Sequence, residues 1–265
     1  MIKVFRLPAL IFSILVAFSS AAHAQECTLI VDAQTGTTIE ETGACDDRYT
    51  AASTFKIALA LMGYDAGILT DAHSPLWNWQ EGMRAPARDK KPVDPTIWQA
   101  DSVLWYSREV ARNLGAQRFS SYVDNFNYGN MDVSGEPGKD NGLSHAWIAS
   151  LMISPREQTA FIRRMLAHEL PVSRAAIEQT MTIVPMFSTQ SGWRVHGKTG
   201  SGWTRNAGGQ IQRSRPEGWF VGWAERQGRM LVFARLGIGT VEGRQGLIEQ
   251  RLIQPFAWQT HKIYS

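Results

Sequence analysis

Strand-like segments at both ends of this chain, separated by a long helical middle, are the feature that most constrains its fold. Two β-rich runs around a glycine-containing turn lie between Cys27 and Cys45, and this pattern predicts a hairpin. Near the other end, the run GWFVGWAERQGRMLVFARLGI predicts a second hairpin that turns at Arg226 to Arg229. We expect one α/β (α+β) lobe built from both ends of the chain, with a mainly helical lobe beside it and the active site in the cleft between them.

The two expected lobes belong to a single domain over residues 25–265. The α/β lobe takes about residues 25–69 and 181–265, and the helical lobe takes about residues 70–180. One helix of the first lobe is predicted from the run STFKIALALMGYDAG, which is apolar almost throughout and stops at Gly67. The other predicted helices span residues 101–113, 155–170 and 243–259.

The first 24 residues have the pattern of a secretory signal peptide. Lys3 and Arg6 form a basic start, residues 7–18 are an apolar run, and residues 22–24 (AHA) fit a cleavage site. The apolar run is too short to cross a bilayer, which takes about 20 residues. We therefore expect cleavage after Ala24, export to the periplasm and no membrane attachment afterwards. A buried amino-terminal helix is the alternative interpretation.

Acidic and basic residues nearly balance once this segment is removed. The whole chain has 27 Lys and Arg against 24 Asp and Glu, so losing Lys3 and Arg6 leaves 25 against 24, a net charge of +1. Proteins that bind nucleic acid or anionic membranes by electrostatic attraction carry an excess of basic residues. We therefore expect no nucleic-acid partner and no role at an anionic membrane surface.

The two cysteines are expected to form a disulfide. Cys27 and Cys45 are the only cysteines, and an exported protein meets an oxidising compartment, where such pairs are oxidised. The bridge would close the open end of the first hairpin. Neither a histidine nor a second cysteine pair lies nearby, so a metal site is the weaker interpretation and no metal is expected. Two buried free thiols are a weaker alternative still.

Lys198 lies in a stretch that fits two motifs at once. Residues 192–199 satisfy the phosphate-binding pattern G-x-x-x-x-G-K-[ST], and residues 198–200 form the Lys-Thr-Gly triplet of serine acyl-transfer enzymes. A phosphate-binding loop needs flexible residues before the lysine and a helix after it, but bulky residues precede Lys198 and glycines follow it. We therefore place Lys198 on a strand, on the same face as His196, which we interpret as a structural histidine.

Ser53 and Lys56 are the expected nucleophile and base. They are three residues apart in the predicted buried helix and so face the same side. A serine hydroxyl reacts only when a base takes its proton, and a lysine is a base only when it is neutral. Burial favours the neutral form. The alternative is that Lys56 lies at a helix edge with its amine in water.

Three further stretches accompany these residues: Ser102 in DSVLWYS, the Tyr-Gly-Asn triplet at 128–130, and Trp147 in GLSHAWIASLMIS. Together with Ser53, Lys56 and the Lys-Thr-Gly triplet, their order and spacing resemble the class D beta-lactamases, the oxacillin-hydrolysing serine enzymes. The resemblance runs along nearly the whole chain after residue 24. It implies the penicillin-recognising serine hydrolase fold, with an antiparallel sheet flanked by helices, and hydrolysis of the amide bond of beta-lactam antibiotics.

The resemblance also implies a catalytic role for each residue. Lys56 would react with carbon dioxide, supplied as bicarbonate, to give an N-carboxylated lysine, and no other cofactor is expected. This group would take the proton from Ser53 for acylation and later activate water for deacylation. Backbone N–H groups of Ser53 and Ser201 would form the oxyanion hole, and Ser102 would pass a proton to the departing ring nitrogen. The indole of Trp147 would support the carboxylated lysine.

The substrate-binding residues implied by the resemblance are Lys198, Thr199, Gly200 and Arg244. Arg244 matches a family arginine that binds the substrate's carboxylate bidentately, although Arg235 and Arg251 lie nearby in the sequence. One position departs from the family pattern, because Leu104 stands where the Ser-x-Val motif has valine. The larger side chain would border the carboxylated lysine and alter the access of water to it.

Two alternatives share the serine-lysine and Lys-Thr-Gly motifs: transpeptidases and penicillin-sensing receptor domains. Both would keep the acyl group on the serine for longer than a hydrolase does, and both are commonly tied to membranes. The expected cleavable signal and the lack of a later apolar span favour the hydrolase. We interpret the triplet at 128–130 as architectural, without a role in proton transfer.

Overall fold

The computed structural model of the protein describes residues 25–189 and 191–239. Its strands are β1 (Gln25–Asp32), β2 (Thr38–Gly43), β3 (Tyr49–Thr50), β4 (Met152–Ile153), β5 (Met186–Ser188), β6 (Arg194–Arg205), β7 (Ile211–Arg226) and β8 (Arg229–Ile238). Its helices are α1 (Lys56–Asp65), α2 (Pro95–Asp101), α3 (Leu104–Leu114), α4 (Ala116–Phe126), α5 (Gly142–His145), α6 (Pro155–Leu166) and α7 (Arg174–Ile183). The expected signal peptide, the predicted helix at 243–259 and Arg244 lie outside the described residues.

Six strands form one antiparallel sheet in the order β2-β1-β8-β7-β6-β5. Both predicted hairpins are confirmed, since β1 pairs with β2 and β7 pairs with β8 up to Arg226 opposite Arg229. β1 also pairs with β8 along its whole length. This pairing joins the early and late parts of the chain in one sheet, as the distribution of strand-like segments predicts.

The buried helix predicted from its apolar run is confirmed as α1. A 3-10 turn, Ala52–Phe55, leads directly into it, and every residue from Lys56 to Tyr64 is buried. α3 and α7 pack against α1, so it lies inside the molecule rather than on the sheet surface. Gly67 ends the segment with φ of +69°, a left-handed conformation that glycine adopts without strain.

α6 begins at the capping box that its sequence contains. The Ser154 hydroxyl accepts a hydrogen bond from the Glu157 N–H, and the Glu157 carboxylate accepts one from the Ser154 N–H. The helix ends at Leu166, earlier than predicted, and His168 adopts a positive φ of 56° just beyond it. Although α6 falls within residues 70–180, it packs against β1, β7 and β8 of the sheet.

The helix predicted over residues 101–113 is wrong at its amino-terminal end. α2 ends at Asp101, Ser102 takes a left-handed conformation with φ of 60°, and Val103 is extended before α3 begins at Leu104. The Ser102 N–H still closes α2 by donating to the carbonyl of Trp98. The break turns the chain so that Ser102 lies in the cleft instead of on the side of a helix.

A disulfide joins Cys27 on β1 to Cys45 beyond the end of β2, with 5.2 Å between their Cα atoms, as predicted. It ties the open end of the first hairpin together. In the part of the chain that the structure describes, every helix is too short or too polar to cross a bilayer.

Candidate active site

Ser53 and Lys56 meet where the 3-10 turn passes into α1. The turn carries Ser53 on its second residue, and Lys56 is the first residue of the helix. The Lys56 Nζ lies 3.0 Å from the Ser53 Oγ, which is hydrogen-bonding distance. The Lys56 side chain is 1% exposed, so the alternative of a lysine reaching water at a helix edge is wrong.

The environment of Lys56 disfavours its charged form. Burial is the main cause that lowers its pKa well below the usual value, and the nearby ammonium of Lys198 lowers it further. The carboxylate of Asp89 acts in the opposite direction, and Arg108 adds a smaller lowering effect. The amine therefore stays neutral at a pH where an exposed lysine is protonated.

A second lysine and serine face this pair across the cleft. The Nζ of Lys198 on β6 donates hydrogen bonds to the Ser102 Oγ at 3.0 Å and to the Thr199 carbonyl at 3.1 Å. Lys198 is 2% exposed, and burial lowers its pKa to about 7. The strand assignment of Lys198 is confirmed, because a phosphate-binding loop would need a helix at this point.

His196 lies two residues before Lys198 on the same strand and stacks on Trp223. The two rings are 4.8 Å apart with an interplanar angle of 3°. The His196 Nε2 is 3.6 Å from a carboxylate oxygen of Glu225. Burial is the main cause that lowers the pKa of His196. These contacts support the structural interpretation of this histidine.

β6 approaches the nucleophile closely because residue 200 is a glycine. A β carbon at Gly200 would lie 3.2 Å from the backbone nitrogen of Thr54 and 3.3 Å from that of Ser53. A cleft of about 560 Å³ opens above this contact. Its lining includes Ser53, Ser102, Thr199, Gly200 and Ser201, so five of the expected site residues border one cavity.

Trp147 packs beside the turn that carries Lys56, whereas Leu104 is placed only at the start of α3. Trp147 is 1% exposed and stacks on Phe55, with ring centroids 5.6 Å apart and an interplanar angle of 12°. Phe55 directly precedes Lys56 in the chain, so the indole packs beside the lysine-bearing turn. Leu104 opens α3 and is half-buried against the main hydrophobic core.

The Tyr-Gly-Asn triplet packs against β4. Asn130 exchanges hydrogen bonds with the backbone of Met152 at 2.8 and 2.9 Å, and a β carbon at Gly129 would lie 2.0 Å from the Met152 carbonyl oxygen. Tyr128 packs edge-on against Phe55, and burial raises the pKa of its phenol. These contacts support an architectural role for the triplet.

Arg235, one of the alternatives to Arg244, lies away from the cleft. It is on β8 and donates a hydrogen bond to the hydroxyl of Thr28 on β1 at 3.2 Å. One strand, β7, separates its strand from β6, which carries Lys198.

Sequence reasoning missed three buried polar residues near the site. Asp89 is 4% exposed and lines the cleft, and the Gln99 side chain donates to the Lys56 carbonyl at 2.9 Å. Glu217 on β7 is 1% exposed and accepts a hydrogen bond from Thr50. Asp89 follows a polar stretch without periodicity, and Gln99 and Glu217 contact residues far away in sequence. A polar stretch without periodicity predicts an exposed loop, so the sequence does not indicate that Asp89 is buried.

The sequence matches the family described as penicillin binding protein transpeptidase domain over residues 24–243. Beta-lactamase OXA-9 of Klebsiella pneumoniae is 50% identical over 224 residues, which cover 83% of this chain and 82% of the relative. Beta-lactamase OXA-1 of Escherichia coli is 35% identical over 211 residues, which cover 78% of this chain and 74% of the relative. The crystal structure of OXA-427 class D beta-lactamase is similar with a TM-score of 0.76 and 41% identity, covering 81% of this chain and 89% of that one.

Proposed function

This chain belongs to the class D beta-lactamases, which hydrolyse beta-lactams, and it has the penicillin-binding transpeptidase fold. We propose that it works through an acyl-enzyme on Ser53, with N-carboxylated Lys56 as the general base. The observation that carries the proposal is the 3.0 Å contact between the Lys56 Nζ and the Ser53 Oγ, made by a lysine that is 1% exposed. A serine hydroxyl needs such a neighbour to lose its proton.

The surroundings of Lys56 fit carboxylation. Only an uncharged amine adds to carbon dioxide, and burial beside the Lys198 ammonium favours the uncharged form. The reaction joins the amine nitrogen to the carbon of carbon dioxide and releases one proton. The resulting carboxylate supplies a general base for acylation and for deacylation. Ser53 and the indole of Trp147 are the residues proposed to hold it.

The residues of the cleft then have complementary tasks. The Ser53 Oγ attacks the beta-lactam carbonyl carbon, the ring C–N bond breaks, and the acyl group stays on Ser53. Backbone N–H groups of Ser53 and Ser201 are proposed to donate to the developing oxyanion, each worth about 3–4 kcal/mol in acyl transfer. Ser102 is proposed to pass a proton to the departing nitrogen, supported by its hydrogen bond from Lys198. Water then releases the acyl group.

Lys198 and Thr199 are proposed to bind the carboxylate that beta-lactams carry. Thr199 borders the cleft, and Lys198 brings a cation to the strand edge. Arg244 is proposed as a second ligand to the same carboxylate. We also propose that the protein is exported to the periplasm after cleavage behind Ala24. The Cys27–Cys45 disulfide supports export, since disulfides persist in oxidising compartments.

Bicarbonate removal tests the base. In degassed, bicarbonate-free buffer we expect kcat for nitrocefin to fall severalfold and to return when bicarbonate is added, with sulfate at equal ionic strength as the control. With ¹³C-bicarbonate, a carbamate signal is expected in the NMR spectrum and is lost in Lys56→Ala. Unchanged rates together with an absent signal would reject carboxylated Lys56 as the base.

Mass spectrometry tests the nucleophile. A covalent adduct on Ser53 is expected in the presence of a slow substrate, and it should disappear in Ser53→Ala. Rapid turnover of nitrocefin by the wild type distinguishes a hydrolase from a sensor or a transpeptidase, which would keep the adduct. Retained turnover in Ser53→Ala would overturn the acyl-enzyme on Ser53.

A further inference from the structure

Glu217 is a buried carboxyl group that has no part in the proposed mechanism. It lies on β7, opposite Gly202 of β6, and is 1% exposed. One of its oxygens, Oε1, accepts a hydrogen bond from the Thr50 hydroxyl. Within the described residues, the other oxygen, Oε2, is buried without a hydrogen-bond partner. Burying a carboxyl group that is only half satisfied costs stability, so its place here calls for an explanation.

Two side chains of β7 hold Thr50, the residue that Glu217 contacts. Glu217 accepts from the Thr50 side chain, and Trp219, two residues further along β7, donates its indole N–H to the Thr50 carbonyl at 3.0 Å. Thr50 is 3% exposed and Trp219 is 0% exposed. Thr50 ends β3, three residues before Ser53. The two contacts therefore anchor the chain just before the turn that carries the nucleophile.

The same carboxyl group also touches β6 beside the second expected oxyanion donor. A β carbon at Gly202 would lie 2.7 Å from the Glu217 Oε1, so the glycine makes room for the carboxyl group. Gly202 directly follows Ser201. Glu217 thus lies between the segment that leads to Ser53 and the segment that carries Ser201.

We propose that Glu217 is a positioning residue for the acylation site, which sets the spacing between the backbone N–H groups of Ser53 and Ser201 by fixing Thr50 against β6. The inference rests on Ser53 being the nucleophile. An oxyanion hole works because its donors are held in place before the reaction, and a displacement of about 1 Å can cost about 100-fold in rate. The contacts with Thr50 and Gly202 connect both donors to one side chain.

The charge of Glu217 gives the proposal a specific signature. Burial raises the pKa of Glu217 to about 7, against the opposing effects of the Thr50 hydrogen bond and the Arg205 guanidinium. The titratable groups that face it are Tyr49 on β3 and Arg205 on β6. Neutral Glu217 fits this site, whereas its anion places an incompletely paired charge between the two strands. The Thr50 hydroxyl itself favours the anion, but burial outweighs it, so we expect the strands around an ionised Glu217 to open to water and to displace Thr50, and rates to fall as pH rises through the pKa.

Glu217→Gln tests this signature, since glutamine has the shape of the neutral acid and does not ionise. We expect the ratio of kcat/KM for nitrocefin, variant over wild type, to be near one at pH 5.5 and to rise severalfold by pH 8.5. Lys56 and Lys198 titrate in both proteins, so the ratio isolates Glu217. A role in stability alone would leave the ratio independent of pH wherever both proteins are folded. A flat ratio overturns the proposal.

Thr50 supplies the matched pair of variants. Thr50→Val removes the hydroxyl and keeps the shape, and we expect kcat to fall roughly tenfold while KM changes less than twofold. Thr50→Ser keeps the hydroxyl and is expected to restore most of kcat. Circular dichroism and thermal unfolding establish that each variant is folded. A folded Thr50→Val with the kcat of the wild type overturns the proposal.

Adduct formation separates this inference from the proposed function. If the wild type forms an adduct on Ser53 while the Glu217 and Thr50 variants behave like the wild type, only the positioning role fails. If Ser53→Ala retains turnover, the proposed nucleophile fails and the positioning role fails with it.

Discussion

The start of α1 and the middle of β6 each bury one lysine beside a serine hydroxyl, but the two lysines have different electrostatic neighbours. Lys56 and Lys198 are 1% and 2% exposed, and each Nζ lies 3.0 Å from the Oγ of Ser53 or Ser102. Burial alone lowers the pKa of Lys198, to about 7. The pKa of Lys56 is lowered by burial and also by the ammonium of Lys198.

The difference shows how similar pairs can serve different chemistry. When Lys198 carries a proton, its charge keeps Lys56 neutral, so one lysine stays cationic for a carboxylate while the other stays free to act as a base. The charge state of Lys198 therefore influences the pKa of Lys56. The carboxylate of Asp89 partly opposes the lowering of the Lys56 pKa and so limits how far that pKa falls.

Replacing Lys56 is expected to give the largest effect. Lys56→Ala removes the only proposed base, so kcat for nitrocefin should fall by about 10³-fold or more, with any residual reaction stopping at acyl-Ser53. Intact-protein mass spectrometry after mixing with substrate measures the adduct. Lys139→Ala, which changes an exposed lysine paired with Glu136, is the control and should keep the wild-type rate. Brisk release of the adduct by Lys56→Ala would show that Lys56 is not the base for deacylation.

Lys198→Met is expected to stabilise the protein at neutral pH. The pKa of Lys198 is lowered from 10.5 to about 7. Between these two pH values the lysine is protonated in the unfolded chain and neutral in the folded chain, so protonation favours unfolding. The penalty is absent above pH 10.5, grows as pH falls and is full below pH 7. Removing it should add at most about 4 kcal/mol to the free energy of unfolding at pH 7, as measured by urea denaturation.

The pH dependence of this gain is the sharper measurement. The difference in stability between Lys198→Met and the wild type should shrink as pH rises from 7 towards 10. A gain that is constant over this range would indicate that packing of the methionine, and not removal of a buried titratable group, explains the result.

The sequence predicts the lysine-serine pair on α1 better than the pair on β6 because the first is local. Ser53 and Lys56 are three residues apart, so helical geometry alone brings them together. Ser102 and Lys198 meet across the cleft, and their contact requires Ser102 to leave the helix in a left-handed conformation. Residues 101–113 have a helical pattern, and this pattern does not predict the break at Ser102 and Val103.

The same distinction applies to the fold. The hairpin β1–β2 and the capping box of α6 depend on neighbouring residues, so turn and cap patterns predict them. The packing of α6 on the sheet and the contact between Thr50 and Glu217 depend on residues far apart in sequence. Such tertiary contacts override local patterns and are visible only once the chain is folded.

Lys198→Met is expected to affect catalysis in two ways. Loss of a charge-assisted contact with the substrate's carboxylate should lower kcat/KM by about 10–100-fold. Loss of the neighbouring cation should also raise the pKa of Lys56, so Lys56 becomes protonated at higher pH and the acid limb of the pH–rate profile moves upward. A profile of kcat against pH measures the shift. An unmoved acid limb would show that the two lysines are not coupled, contrary to the comparison above.

Gly200→Ala tests how closely β6 must approach the 3-10 turn that carries Ser53. The added β carbon would lie 3.1 to 3.3 Å from Thr54 and the Ser53 nitrogen, so the turn must move by a few tenths of an ångström. We expect kcat to fall about tenfold, because small displacements of a nucleophile and its oxyanion donors are costly. Gly208→Ala is the control, since its β carbon would come no closer than 3.4 Å to Asn206. Equal rates for the two variants would mean that the turn and β6 can move apart to fit the added methyl group without displacing Ser53.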